Sequence, residues 1–252
     1  MYTRAIVRPP GPDFALGVTT GALGAPDWEL AVEQHRAYCA ALERCGLEVI
    51  ELEALPGLPD GCFVEDAAVV VEDVAVCTIP GALTRRGEVA DLAAALEQYM
   101  PVAPLTPPAT LDGGDVLVVG QRMYVGVSAR SNIHGAEQLG RVALDKGYAW
   151  TPVPVDAGLH LKSSVNWVDR YVLVTTAGFA DLPAFQDFEI LVTEPDEDYA
   201  CNCLNINGTI IMAAGYPATR KLVDSLGMPV IELDMSEFRK MDGGLTCLSV
   251  RF

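Results

Sequence analysis

The 252-residue chain is long enough for one large domain or two small ones; half of it is apolar and a fifth is charged, a balance opposite to that of a disordered polypeptide. A formal net charge of −17 argues against nucleic acid and anionic lipid as partners, and no apolar run approaches the ~20 residues of a membrane span. Arg8, Pro9 and Pro10 interrupt what would be the apolar core of a signal peptide, so a cytoplasmic location is expected, with reduced thiols for seven cysteines whose odd number and irregular spacing do not suit a disulfide framework.

In chain order, the sequence predicts a strand at 4–7, a Gly- and Pro-containing stretch at 11–26, and a helix over 29–46 leading into an apolar strand at 47–52. The polar cluster Asp60-Gly61-Cys62-Phe63-Val64-Glu65-Asp66 then precedes strand-like runs at 67–71 and 74–79, joined at Glu72-Asp73, and an amphipathic helix over 86–100. The same order returns as Asp112-Gly113-Gly114-Asp115, runs at 116–119 and 123–127 around Gly120-Gln121, and a helix over 133–147. It returns again as His160-Leu161-Lys162-Ser163-Ser164, with runs at 165–168 and 171–175 around Asp169-Arg170. A fourth hairpin turns at Asn207-Gly208, the strongest hairpin signal in the chain, followed by a helix opened by Pro217 and closed by Gly227 and by an apolar run from Pro229. The last apolar stretch, 248–252, has no room for a hairpin; it is expected to pair with the strand at 4–7.

The polar clusters therefore recur at about 40–50 residues, the period range of propellers and solenoids. Five units closed into a ring would leave few exposed edges and would bring all five clusters to one axis. The other reading is an ordinary α/β sheet whose hairpins are alike by chance.

Three histidines limit the choice of a general base. His35 sits in a charged helix, His134 near a helix start, and His160 opens one of the repeated clusters. Cys247 lies in Asp242-Gly243-Gly244-Leu245-Thr246-Cys247, where a Gly-Gly turn enters a short apolar strand. A thiol needs a lowered pKa or a nearby imidazole to react at neutral pH. On a common axis Cys247 would meet His160, with Asp112 from the matching position of another unit to orient the imidazole; a buried thiol on the final strand is the alternative. Asp60, Glu65 and Asp66 stand beside the apolar run 67–71, where adjacent carboxylates are costly unless a cation such as a guanidinium joins them. A solvated loop is the other possibility. Cys201 and Cys203 have no second Cys/His pair at zinc-site spacing.

Five motifs in order, Phe63-Val64-Glu65-Asp66-Ala67, Pro80-Gly81 with Arg85-Arg86, Leu111-Asp112-Gly113-Gly114-Asp115, Gly158-Leu159-His160-Leu161-Lys162-Ser163 and Asp242-Gly243-Gly244-Leu245-Thr246-Cys247-Leu248-Ser249, give the chain its resemblance, over nearly all its length, to the dimethylarginine dimethylaminohydrolases of the guanidino-group-modifying, or pentein, superfamily. The resemblance implies an α/β fold, a fivefold pseudosymmetric propeller of ββαβ-type units, forming one domain over 1–252. It implies Cys247 as nucleophile, His160 as acid and base, and Asp112 as the group orienting His160. Glu65 and Asp66 would hold the guanidinium of a small-molecule substrate, Arg85 and Arg130 its α-carboxylate, and Asp60 and the Leu16 carbonyl its α-amino group, with Met241 lining the substrate. No metal or organic cofactor is implied, and a homodimer is left open.

Two departures bear on the substrate. Arginine deiminases and amidinotransferases of the superfamily carry His-x-Asp where this chain has His160-Leu161-Lys162, and the missing acid suits a site that accepts a methylated nitrogen. On a strand Lys162 would share the face of His160, so it is expected to be diverted to a carboxylate or to solvent. Some family members carry Glu in place of Asp112. A related guanidine or ureido hydrolase, an arginine deiminase and a methylarginine-binding protein without activity are the alternatives, and the stretch at 11–26 is either a lid or an ordinary surface loop.

Overall fold

In the computed structural model, which describes residues 1–21, 23–156 and 158–252, each predicted hairpin becomes two strands of a three-stranded sheet. The first unit supplies β1 (Arg4–Val7), α1 (Trp28–Arg44) and β2 (Glu48–Glu51). The second contains β3 (Ala68–Val71), β4 (Val74–Cys77), α2 (Val89–Leu96) and β5 (Val102–Pro104). The third is β6 (Val116–Val119), β7 (Arg122–Val127), α3 (Ile133–Asp145) and β8 (Ala149–Pro154). The fourth, β9 (Val165–Asp169), β10 (Val172–Thr175) and β11 (Glu189–Val192), crosses over through two 3₁₀ turns instead of an α-helix. The fifth has β12 (Leu204–Ile206), β13 (Thr209–Ala213), α4 (Pro217–Asp224) and β14 (Val230–Leu233); α5 (Ser236–Lys240) and β15 (Ser249–Arg251) follow. In every sheet the middle strand is antiparallel to its hairpin partner and parallel to the strand beyond the crossover. The first sheet obtains its antiparallel strand from the far end of the chain, with Ala5 opposite Arg251 and Val7 opposite Ser249.

Alternation along these strands closes the ring. Side chains of successive strand residues point to opposite faces. On β1, Ala5 and Val7 join a core shared with β12, β13 and α1, whereas Ile6 joins one shared with β3 and α2. On β3, Ala68 faces back to that second core and Val69 and Val71 face forward to the third unit. Leu117 and Val119 meet Val165 and Leu173, and Val168 and Val174 meet Ile210 and Met212. Five cores, each between two consecutive sheets, make the propeller and exclude the ordinary-sheet reading. With both faces buried, the strands read as continuous apolar runs.

Local chemistry sets the boundaries. Asn207 and Gly208 both have positive φ, 53° and 90°, as a two-residue hairpin turn requires. Asp27 and Asn132 cap α1 and α3 through the Leu30 and Gly135 N–H groups. Two expectations are corrected. The helix predicted over 86–100 is α-helical only at Val89–Leu96, because 3₁₀ backbone at Leu83–Glu88 carries Arg85 inward to buried partners. The turn predicted at Asp169-Arg170 lies one residue later, since Asp169 pairs with Val172 and a register irregularity between Val172 and Leu173 absorbs the shift.

Candidate active site

The 3₁₀ turns that enter the hairpins bring four of the polar clusters together at one end of the axis. A small cavity of about 20 Å³ there is lined by Val18, Asp60, Phe63, Asp66, Arg85, Arg130, Leu159, His160, Met241, Asp242, Gly243 and Cys247. Its shape depends on glycine. A Cβ on Gly114 would lie 2.6 Å from His160 Nδ1 and 2.9 Å from Asp66 Oδ1, and one on Gly113 would strike the Glu65 carbonyl oxygen. The Gly-Gly pair lets the second and third units touch, and the Gly114 N–H donates to Asp66 Oδ1 at 2.8 Å. Gly243 and Gly244 do the same beside Cys247, where added carbons would meet the Phe63 ring and the Asn202 side chain.

His160 Nε2 lies 3.0 Å from Asp112 Oδ2, with both residues buried. Asp112 is itself fixed, because its Oδ1 accepts the Gly81 N–H at 2.8 Å. Burial opposes charge on the ring, but Asp66, the hydrogen bond that the ring donates to Asp112, and Asp115 together raise His160 to about 9. The ring is therefore an imidazolium at neutral pH. Asp66 is the converse: burial pushes its carboxyl up, but His160 and Arg85 hold it down at about 2. Burial, then Asp66 and Glu65, push the Cys247 thiol up to about 12. The resting site thus holds a neutral thiol, an imidazolium and a carboxylate. Asp66, Asp112 and His160 present ligand atoms within 4.8 Å of one another; with the ring protonated, its proton occupies the place a cation would take.

Asp66 and Glu65 part company. Asp66 faces Cys247, but Glu65 does not line this cavity. Its Oε1 takes Lys162 Nζ at 2.7 Å and Arg251 at 2.9 Å, in a second cavity of about 110 Å³. The joint guanidinium clamp read from adjacent carboxylates is corrected accordingly, since neighbours in a 3₁₀ turn diverge by about 120°. The same contact diverts Lys162 to a carboxylate, as expected. Arg85 lines the cavity, yet it donates to Asp66 at 2.5 Å, to both Glu88 oxygens, and to the Asp60 and Phe63 carbonyls. Arg130 also lines it and makes no ion pair among the described residues. Asp60 and Met241 are in the wall. Leu16 is 79% exposed and is not; from that segment Val18 takes the place.

Sequence reasoning missed the residues that hold these parts. Asp115, the second acid of the Asp-Gly-Gly-Asp motif, accepts from Ser128 Oγ, Ser131 Oγ and the Leu161 N–H at 2.6–2.8 Å, tying the loop of Arg130 to the residue after His160. Asn202 accepts the Thr246 N–H and donates to Thr246 Oγ1 and the Lys162 carbonyl, which fixes the turn before Cys247. Both lie in the repeated polar clusters, and that recurrence was the available signal. Asp242 accepts from the Thr20 N–H and from the hydroxyls of Thr19 and Thr20, and the Val18 N–H donates to both Asp60 oxygens. The stretch at 11–26, whose Ala22 lies outside the described residues, is thereby latched over the cavity.

Fold and site define a propeller of the guanidino-group-modifying class with a cysteine at the axis. No protein-family model matches the chain. Two proteins named N(G),N(G)-dimethylarginine dimethylaminohydrolase do match it. The Pseudomonas aeruginosa protein is 38% identical and covers 100% of both chains; that of Streptomyces coelicolor is 38% identical over 98% of this chain and 96% of its own length. The chain belongs to the dimethylarginine dimethylaminohydrolase family. Its fold superposes on a cysteine-to-serine variant of the Pseudomonas enzyme complexed with citrulline, with a TM-score of 0.98, 38% identity and complete coverage of both chains. A crystal structure of a dimethylarginine dimethylaminohydrolase histidine variant as an adduct with S-methyl-L-thiocitrulline matches at 0.97 with 38% identity, again with full coverage of both. The N-terminal domain of a cyanobacterial arginine dihydrolase, 21% identical with a TM-score of 0.87 over 100% of this chain and 97% of that one, shares the fold.

Proposed function

We propose that this chain hydrolyses Nω-methylated L-arginines, asymmetric dimethylarginine and monomethylarginine, to L-citrulline and dimethylamine or methylamine. The observation that carries the proposal is the placing of Cys247, the His160 imidazolium and Asp66 around one buried cavity with Arg130 at its wall, in no ion pair among the described residues. The substrate guanidinium sits against Asp66, and the α-carboxylate meets Arg130, with Arg85 behind it. Asp60 takes the α-amino group once the Val18 N–H releases it, and Met241 packs beside the chain. No metal or organic cofactor enters the reaction.

The bound cation replaces lost solvation near Cys247 and lowers its pKa, so the thiol proton leaves to solvent as the substrate binds. The thiolate sulfur forms a bond to the guanidinium carbon. His160, already protonated, gives its proton to the methylated nitrogen, and the C–N bond breaks with release of the amine. The neutral imidazole then takes a proton from water, hydroxide adds to the thiouronium carbon, and the C–S bond breaks to give citrulline. Asp112 keeps the ring oriented through both transfers. Lys162, held by Glu65, does not repel the substrate. The reaction is assigned to one catalytic domain over 1–252, acting in the cytoplasm; among the described residues no helix is long and apolar enough to cross a membrane.

Citrulline formation from dimethylarginine, arginine and agmatine tests the reading. Dimethylarginine should be the preferred substrate, and strong preference for arginine would replace the proposal with a deiminase. Cys247→Ser should lower turnover by about 10⁴-fold or more while leaving ligand binding measurable; turnover that survived it would remove the nucleophile.

A further inference from the structure

Away from the axis, the outer helix of the first unit and the strand it leads into bring three metal-ligating side chains together. His35 and Cys39 are four residues apart on one face of α1, and Glu51 ends β2. His35 Nδ1 lies 3.7 Å from Cys39 Sγ and 4.0 Å from Glu51 Oε2, and all three donor atoms lie within 4.8 Å of one another. We propose that His35, Cys39 and Glu51 form a site for a divalent transition-metal ion of the zinc class, separate from the reaction centre.

The geometry is close to what such an ion requires. Nitrogen, thiolate and carboxylate ligands at about 2.0–2.3 Å from a tetrahedral zinc must stand about 3.4–3.8 Å apart. The His35–Cys39 pair already stands at that spacing, and the exposed Glu51 side chain must draw in by about 0.6 Å toward His35. The donor set, one imidazole, one thiolate and one carboxylate, selects zinc or cobalt over magnesium or calcium. His35 is 1% exposed, so its ring is held by packing, whereas Cys39 is half-buried and Glu51 exposed, which gives an ion an approach from solvent. His35 Nδ1 faces Cys39 Sγ, and with its lone pair on the metal the ring proton would sit on Nε2, which has no hydrogen-bond partner among the described residues. Glu43, a further turn along α1, adds negative potential next to Cys39. Binding forms one N–metal, one S–metal and one O–metal bond, releases the Cys39 proton to solvent, and leaves a fourth position for water.

An ion there would tie α1 to β2. It would also border the frame of the reaction centre, because Gln34 donates to Ser236 Oγ and accepts the Glu237 N–H of α5, the helix that runs into Met241 and Asp242.

Cobalt(II) chloride titrated into the full-length Cys247→Ser protein under reducing, chelator-free conditions provides the test, since that background removes the reactive thiol of the axis. One equivalent should bind with a thiolate-to-cobalt charge-transfer absorption, and zinc chloride should displace it. Cys39→Ser should abolish the band, and Glu51→Gln should weaken affinity at least tenfold; both positions are accessible enough to leave the fold intact. His35→Ala is a further variant, read only if its circular dichroism is unchanged. A charge-transfer band that persists in Cys39→Ser, or the absence of stoichiometric binding, would overturn the proposal.

Discussion

Glu65 and Asp66 are consecutive acids in one 3₁₀ turn, both buried, yet they meet opposite fates. Glu65 looks into the larger cavity and is shared by two cations, Lys162 and Arg251. Asp66 looks into the smaller one, where Arg85 and a backbone N–H satisfy it, and its charge still acts on Cys247 and His160. At the Glu65 end, two cations fixed in the chain share Oε1, while Oε2 is buried with no hydrogen-bond partner among the described residues. At the Asp66 end Arg85 and the Gly114 N–H are fixed partners too, but the charge also reaches the cavity, where it sustains the proton on His160 and, under the proposed function, meets the substrate cation. A carboxylate whose charge faces only chain cations contributes to the fold; one whose charge also faces the reacting thiol and imidazole is available for chemistry.

The largest expected effect follows from removing the charge that awaits the ligand. Asp66→Asn should reduce kcat/KM for dimethylarginine by about 10³-fold, as expected for loss of a preorganised charge in a water-poor site. The same change should speed alkylation of Cys247 in the free protein, because Asp66 is one of the groups holding its thiol up. Slower turnover together with faster alkylation separates this role from simple misfolding. If both fell together, Asp66 would be one more structural acid and the contrast with Glu65 would fail.

Lys162→Met probes the other end. It leaves Glu65 with Arg251 alone, and breaking a buried ion pair on one side costs about 3 kcal/mol of stability. A triple change, Glu65→Leu with Lys162→Met and Arg251→Met, should recover most of that loss, since the carboxylate is then removed together with both of its cations. Urea denaturation measures both. A single variant as stable as the parent would show that Arg251 alone suffices for Glu65.

His160 links the two kinds of compensation through pH. Its folded pKa of about 9 lies above the ordinary 6.5, so its contribution to stability is fully present below pH 6.5 and is lost as pH rises through 9. Between pH 6.5 and 8 stability should fall by up to about 1.4 kcal/mol per pH unit from this group alone. The buried His35, pushed down to about 4 by its surroundings, acts with the opposite sign and only below pH 6.5, so it does not enter this window. The slope should fall sharply in His160→Gln, leaving at the lower edge of the window the part due to Glu88, whose carboxyl burial pushes up to about 7; an unchanged slope would assign it elsewhere.

Much of this contrast is legible before any coordinates, and the part that is not has a specific cause. The repeat, the hairpins and the pairing of the chain ends follow from period and turn chemistry, and Cys247, His160, Asp112 and Asp66 from the clusters that the repeat brings to one axis. The divergence of Glu65 from Asp66 depends on 3₁₀ backbone at Val64–Ala67, which no period or turn signal in Phe63-Val64-Glu65-Asp66 announces. The missing helix of the fourth unit follows from 3₁₀ turns at 177–179 and 183–185, the second opened by Pro183. Asp115 and Asn202 resemble surface polar residues until the loops that they join are placed beside each other.

The smallest effect concerns the latch. A cavity of about 20 Å³ accommodates about one water molecule, far less than an amino acid, so its walls must part for substrate to enter, and the segment around Val18–Thr20 is the wall that Asp60 and Asp242 hold. Asp242 holds that segment while its own backbone sits at a φ of 57°, a conformation that asparagine also tolerates. Asp242→Asn therefore keeps the turn and removes the negative charge from three hydrogen bonds. Each charge-assisted bond of this kind contributes on the order of 1–2 kcal/mol, so hydrogen exchange of the Val18 and Thr20 amides should accelerate by roughly tenfold, whereas amides in β4 and β7 should not change. If the exchange of Thr20 did not change, Asp242 would not be the latch, and Asp60, which receives the Val18 N–H, would be left as the group that the substrate's amino end must displace.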